Sequence, residues 1–102
     1  MIALGTEMKF DVHIEPIGEL SMSDYDFECA FFVYANKKVV IKKSDMIQVD
    51  KDHYLAIIET EQALKLGKGR IQLEITAYVP DNDFSDGVRT EKTIVCTDVI
   101  VS

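Results

Sequence analysis

Asp81, Asp83 and Asp86, with the Asn82 amide among them, put several oxygen donors into one short loop. That is the donor type a hard cation such as calcium takes. The spacing departs from the helix-loop-helix calcium site, because the glycine, Gly87, follows Asp86 and the twelfth residue is Lys92. Asp, Asn and Gly also populate tight turns for backbone reasons, so a solvated hairpin turn is the expectation and calcium the alternative. His13 and His53 each stand alone on an extended segment, with no second ligand at a short fixed spacing. Each is expected to be an exposed or half-exposed strand histidine, not a metal ligand or general base. A pocket joining either one to two carboxylates would reopen a catalytic reading, and two separated, exposed histidines would close it. No Ser, Cys or Lys lies in a nucleophile motif, no glycine-rich phosphate loop is present and the carboxylates are scattered. The expectation is therefore no catalytic residue, no cofactor and no enzyme.

Two further groups have chemical potential. Cys29 and Cys96 lie on an early and a late strand, a placement that joins the two sheets of an antibody domain. Cys29 is in phase with Phe27, Phe31 and Val33 and should face inward; Cys96 is in phase with Ile94 and Ile100 but also with Asp98. No tryptophan is present to pack on such a bridge, and two reduced, buried thiols are expected. Lys37, Lys38, Lys42 and Lys43 form the one basic cluster. They read as a device that keeps an edge strand from pairing further, with a partner contact as the alternative.

The elements that position these groups follow from a period of two. Met8, Phe10, Val12 and Ile14 alternate with Lys9, Asp11, His13 and Glu15, and Ile71, Leu73, Ile75, Ala77 and Val79 alternate with Gln72, Glu74, Thr76 and Tyr78. Successive strand side chains point to opposite faces, so each such run buries one face and wets the other. The first strand, Met8 to Ile14, stops before Pro16 and Gly18. The second, Asp26 to Ala35, carries apolar residues on both phases and should be central: Phe27, Cys29, Phe31 and Val33 on one, Ala30, Phe32 and Tyr34 on the other. A turn at Asn36 to Lys38 leads into a third strand from Val39, expected to continue with a bulge through Met46 to Val49. The fourth is His53 to Glu59. A helix of at most two turns follows, capped by Thr60, with Ala63, Leu64 and Leu66 inward and Gly67 at its C-terminal end. The fifth strand, Arg70 to Val79, ends at Pro80. Beyond the acidic loop, Val88 to Val101 suits one bent strand or two short ones.

Six or seven strands, one helical turn and no strand-helix alternation predict an all-β, immunoglobulin-like antiparallel sandwich. Residues 1–7 read as an N-terminal tail and residues 8–102 as a single domain. Phe32, Tyr34 and Tyr78 sit on the phase opposite the main core set; as an exposed outer strip they would mark a protein contact. At 102 residues with a net charge of −7, the chain is large enough for one core and too acidic for duplex nucleic acid or anionic membrane surfaces. Its longest apolar runs fall far below the roughly 18 residues of a membrane span. No basic flank or long apolar stretch marks a signal peptide at the start. The chain is expected to stay in the cytoplasm of the producing cell.

The order of segments carries a resemblance. "D-x-D-F-x-x-x-F-F-V" at Asp24 to Val33, "H-Y-L-A-I-I-E-T" leading into the helix, "L-G-K-G-R-I-Q-L-E-I-T-A-Y-V-P-D" from Leu66 to Asp81 and "D-G-V-R-T-E" at Asp86 to Glu91 succeed one another. The pattern resembles the small immunoglobulin-like domain at the start of tailed-phage upper baseplate proteins and of related prophage tail proteins from Bacteroides-type bacteria. In that family a helical turn and glycine precede a strand reading G-x-Y-x-x-x-I, and a D-G-x-R turn precedes the closing strand. Here Gly69 and Ile71 stand in the first place and Asp86, Gly87 and Arg89 in the second, with Ile71 replacing the usual tyrosine. The segments that follow this domain in long baseplate proteins have no counterpart in the 102 residues. The resemblance implies virion assembly by contact with other tail proteins or with copies of the same chain, without catalysis, nucleic-acid binding or membrane insertion. A carbohydrate- or surface-binding module of the same fold is the rival; the lack of tryptophan counts against it.

Overall fold

Alternation this regular leaves each strand with one apolar face, and two sheets formed from such strands have only each other to bury it against. The computed structural model, which describes residues 1–102, shows that outcome. In chain order the elements are β1 (Met8–His13), β2 (Asp26–Phe32), β3 (Val39–Lys42), β4 (Ile47–Asp50), β5 (His53–Ile58), α1 (Thr60–Leu66), β6 (Gly69–Pro80) and β7 (Val88–Val101). One sheet has the order β1-β5-β4 and the other β3-β2-β6-β7, and every strand pair is antiparallel. The protein is an all-β sandwich. Its strand order is that of an immunoglobulin variable-type domain with strands B, E and D in one sheet and C′, C, F and G in the other. No strand occupies the place of A beside β1. Residues 1–7, expected as a tail, instead reach the far sheet: Ile2 forms an isolated parallel bridge to Val101.

The core lies between the sheets. Phe27, Cys29 and Phe31 of β2 and Ile71 and Val79 of β6 meet Val12 of β1 and Ala56 and Ile58 of β5, all buried. Phe31 stacks obliquely on Phe10 at 4.7 Å and Phe27 meets Tyr54 edge-on at 5.3 Å. β2 is buried on both phases, as its composition required, with Ala30 and Phe32 covered on the outer side.

Several boundaries differ from expectation for local reasons. β2 ends at Phe32, ahead of the Tyr34 to Lys37 turn. The single bulged strand expected from Val39 to Val49 is two strands in different sheets, separated by a 3-10 turn over Lys43–Asp45. Lys43 anchors the turn between them: its Nζ donates to the carbonyls of Met22 (3.0 Å) and Tyr25 (2.7 Å) and lies over the Phe27 and Tyr54 rings. α1 starts one residue earlier than a Thr60 cap would place it, because the Gln62 side chain accepts from the Glu59 N–H at 2.9 Å. Leu64 faces out, 53% exposed, while Ala63 and Leu66 enter the core. The chain leaves the helix through two glycines at positive φ; a Cβ on Gly69 would sit 2.7 Å from Val33 Cγ1.

β7 is one strand with a bend. Its register against β6 runs unbroken from Val88 to Cys96 and shifts between Arg70 and Gln72. At that shift Thr97 Oγ1 donates to the Ile71 carbonyl and accepts from Val99 N–H. Phe31→Ala empties a fully buried aromatic site and is expected to cost about 3–5 kcal/mol in urea unfolding. Ile94→Ala on exposed β7 should stay within about 0.5 kcal/mol of the parent.

Candidate functional site

The acidic loop is held by its own side chains. At the head of the β6–β7 hairpin, Asp81 Oδ1 accepts from Asp83 N–H (3.0 Å), and Asp86 Oδ1 accepts from Val88 N–H (3.1 Å). Arg89 Nη1 donates to Asp81 Oδ2 at 2.6 Å. The D-G-x-R sequence thus works as a clasp, with Gly87 at φ +75° closing the turn and the arginine reaching back to the aspartate before it. Asp83 remains exposed. No three His, Cys, Asp or Glu groups anywhere in the fold converge as a metal set would.

The histidines were expected to stand alone, and the structure corrects this. β1 pairs with β5 so that His13 lies directly opposite His53, and the rings stack with centroids 4.6 Å apart. No sequence spacing shows a partner 40 residues away; only the β1–β5 register does. His13 Nδ1 donates to the Asp52 carbonyl (2.8 Å), and Nε2 lies 3.3 Å from Glu15 Oε1, to which it donates when the ring is protonated. His53 Nδ1 meets both Asp50 carboxylate oxygens at 2.9 and 3.0 Å. The Asp52 carbonyl raises the His13 pKa most; burial, next in size, opposes it, and the Glu15 carboxylate adds a further rise. The Asp52 N–H, with His53 second, lowers that of Asp50. Both ring nitrogens of His13 are occupied, so the pair acts as a clamp between β1 and the β4–β5 turn.

Beside the clamp opens a cleft of about 350 Å³, lined by His13, Ile14, Glu15 and Ile17 on one side and by Ile75, Ala77, Glu91, Thr93 and Val95 on the other. It lies where a first strand would run next to β1, over the inner face of β7. The cleft therefore does join a histidine to two carboxylates, Glu15 and Glu91, the condition that reopens a catalytic reading. In that cleft His13 and Glu15 form a charged pair when the ring is protonated.

The three aromatics expected as an outer strip do not come together. Phe32 pairs with Gln72 and Tyr78 with Asp26, at opposite ends of the β2–β6 ladder, about 20 Å apart along the strand. Phe32 is 7% exposed, with Lys38 Nζ 5.0 Å above its ring. Tyr78 donates to Glu28 Oε1, which raises its pKa. Tyr34 is exposed and donates to the Lys68 carbonyl. The lysine cluster likewise disperses: Lys43 points inward, Lys38 covers Phe32, and Lys42 lines a shallow hollow with Asp26, Glu28 and Tyr78. The cysteines are both free. Cys29 is buried, its thiol pushed up to about 12 by burial, and Cys96 is exposed on the other face of the same sheet. They lie on β2 and β7 with β6 between them, so no inter-sheet bridge arises.

The barest strand of the fold is β7. Every residue from Thr90 to Cys96 is exposed, on both faces and along a free edge, with Ile94 59% and Val95 44% open. Its alternation looks like that of any half-buried strand, and only the sheet order shows that nothing covers its inner face.

No protein-family model matches the chain, and no curated protein or solved structure is detectably similar to it.

Two outcomes follow from the geometry. With its folded pKa raised, His13 stabilises the fold fully below the ordinary histidine value of about 6.5. That contribution fades as pH rises through the folded value. The melting temperature of the wild type should therefore exceed that of His13→Asn more at pH 5.5 than at pH 8.5 in paired thermal scans; an equal gap would refute the clamp. Millimolar calcium should leave the melting temperature unmoved relative to chelator, because the loop carboxylates already serve the turn; a rise of several degrees would make the loop a calcium site.

Proposed function

We propose that this protein is a non-catalytic structural or adaptor module that works by protein–protein contact. The observation that carries this reading is the incomplete sandwich. A seven-stranded domain without a first strand leaves an apolar-lined cleft beside β1 and a long bare edge on β7. Open edges and uncovered inner faces are the features by which a partner's strand is added to a sheet. The resemblance of the Asp24–Val33, Leu66–Asp81 and Asp86–Glu91 segments to the baseplate domain points the same way. On that basis the setting is a phage or prophage tail, with copies of the chain or neighbouring tail proteins as partners and the virion as its destination.

The test is co-expression with the products of the genes on either side, followed by size-exclusion chromatography with light scattering. A complex of defined stoichiometry with an adjacent tail protein, formed equally in calcium and in chelator, is the expected result. If the chain binds neither itself nor any product of its gene neighbourhood, or if those genes encode polysaccharide-degrading enzymes and the chain retains their glycans, the reading fails.

A further inference from the structure

We propose that two copies of this chain pair through the free edges of β7, antiparallel and centred on Ile94, to make one continuous eight-stranded sheet. The inference rests on the contact-module reading and specifies its surface and its partner.

Four strand edges are open in the sandwich, and three carry features that block pairing. β3 and β4 are four residues each, and β4 shifts register between Gln48 and Asp50. β1 presents Lys9, Asp11 and His13. Short, bulged and charged edges are how sheets avoid unwanted addition. β7 is the exception, with an even register from Val88 to Cys96 and exposed residues from Thr90 to Cys96.

The direction of its unpaired groups can be read off the ladder. Asp81 N–H donates to the Gly87 carbonyl at the hairpin head. In an antiparallel ladder hydrogen-bonded and non-hydrogen-bonded pairs alternate, so Arg89, Glu91, Thr93 and Val95 bond to β6. Thr90, Lys92, Ile94 and Cys96 turn their N–H and C=O groups to the empty side. The far end agrees: beyond the bulge, the Ile100 carbonyl and Ser102 N–H face outward, and there Ile2 meets them.

A two-fold axis normal to the sheet makes some residue face itself across the seam. Centring on Glu91 or Lys92 sets like charges opposite each other. Thr93 would place Lys92 against Ile94 and Glu91 against Val95. Thr90 leaves Ile94 uncovered. Val95 or Cys96 carries the pairing into the bulge at Thr97–Val99. Ile94 alone joins like to like. Ile94 faces Ile94 on the outer side, Thr93 faces Val95 twice on the inner side and Lys92 faces Cys96 twice, with about six new backbone hydrogen bonds. Charge permits the approach: the chain carries −7, yet Val88 to Cys96 holds two cations, Arg89 and Lys92, and one carboxylate, Glu91.

Cys96 supplies the test. In this register Lys92 of one copy lies about 5.5 Å, Cα to Cα, from Cys96 of the other, within disulfide reach. Lys92→Cys, oxidised with glutathione disulfide, should migrate as a covalent dimer on a non-reducing gel, while Lys92→Cys/Cys96→Ser should not. Cys29 is too deeply buried to confuse the result. Light scattering of the wild type from about 1 μM to 1 mM should show a dimer that tightens with salt, with dissociation on the order of micromolar. Ile94→Asp, which leaves the core untouched, should weaken it by roughly 100-fold or more through like charges set opposite each other. A wild type that stays monomeric, a dimer unaffected by Ile94→Asp, or cross-linking of Thr90→Cys in place of Lys92→Cys overturns the proposal. Those results leave the wider reading to stand or fall on whether the neighbouring gene products bind.

Discussion

Aromatic side chains of β2 interlock with the opposite sheet, and the remaining structure is arranged around that contact. Phe31 on Phe10 and Phe27 against Tyr54 fix how far apart the sheets lie and how β2 is aligned over β1 and β5. Because β2 is the strand through which β3 and β6 join the larger sheet, its position sets theirs. Lys43 seals the end of the same core. Its ammonium group lies over Phe27 and Tyr54 and ties the 3-10 turn to the carbonyls of Met22 and Tyr25. Charge-assisted hydrogen bonds and ring contacts offset the cost of partly desolvating that group.

What the core does not reach is as consequential. The smaller sheet has three strands over the larger sheet's four, and the place beside β1 is empty. β7 therefore leaves the shelter of the sandwich over much of its length, and the inner-face residues Thr93 and Val95 are exposed along with the outer-face residue Ile94. Residues at the chain start fasten only its last turn, through Ile2 and Val101. A sheet edge of this kind carries unpaired backbone groups together with apolar side chains, and both gain from the addition of a strand. The bare edge is thus a consequence of the strand order. No specialised motif is needed to explain it.

Much of this was legible in the residues. The alternation of Met8 to Ile14 and of Ile71 to Val79 predicted strands and their buried faces; the two apolar phases of Phe27 to Phe32 predicted a central strand; Gly67 predicted a helix end. Residues near one another in sequence were a poor guide to shared chemistry. Lys37 to Lys43 form a cluster in the sequence, yet Lys38, Lys42 and Lys43 point to three different places. Phe32 and Tyr78 share a phase and sit at opposite ends of a ladder. His13 and His53 look isolated and are stacked.

The sequence by itself determined most of the secondary structure, the all-β class and the turn at Asp81 to Gly87, because period and turn residues are properties of neighbours along the chain. The tertiary structure decided which strands share a sheet, which histidine meets which and which edge is left bare. Those outcomes depend on registers between segments tens of residues apart, where one apolar strand offers nearly the same surface as another. Only the packing of all of them at once selects the partners and leaves β7 without one.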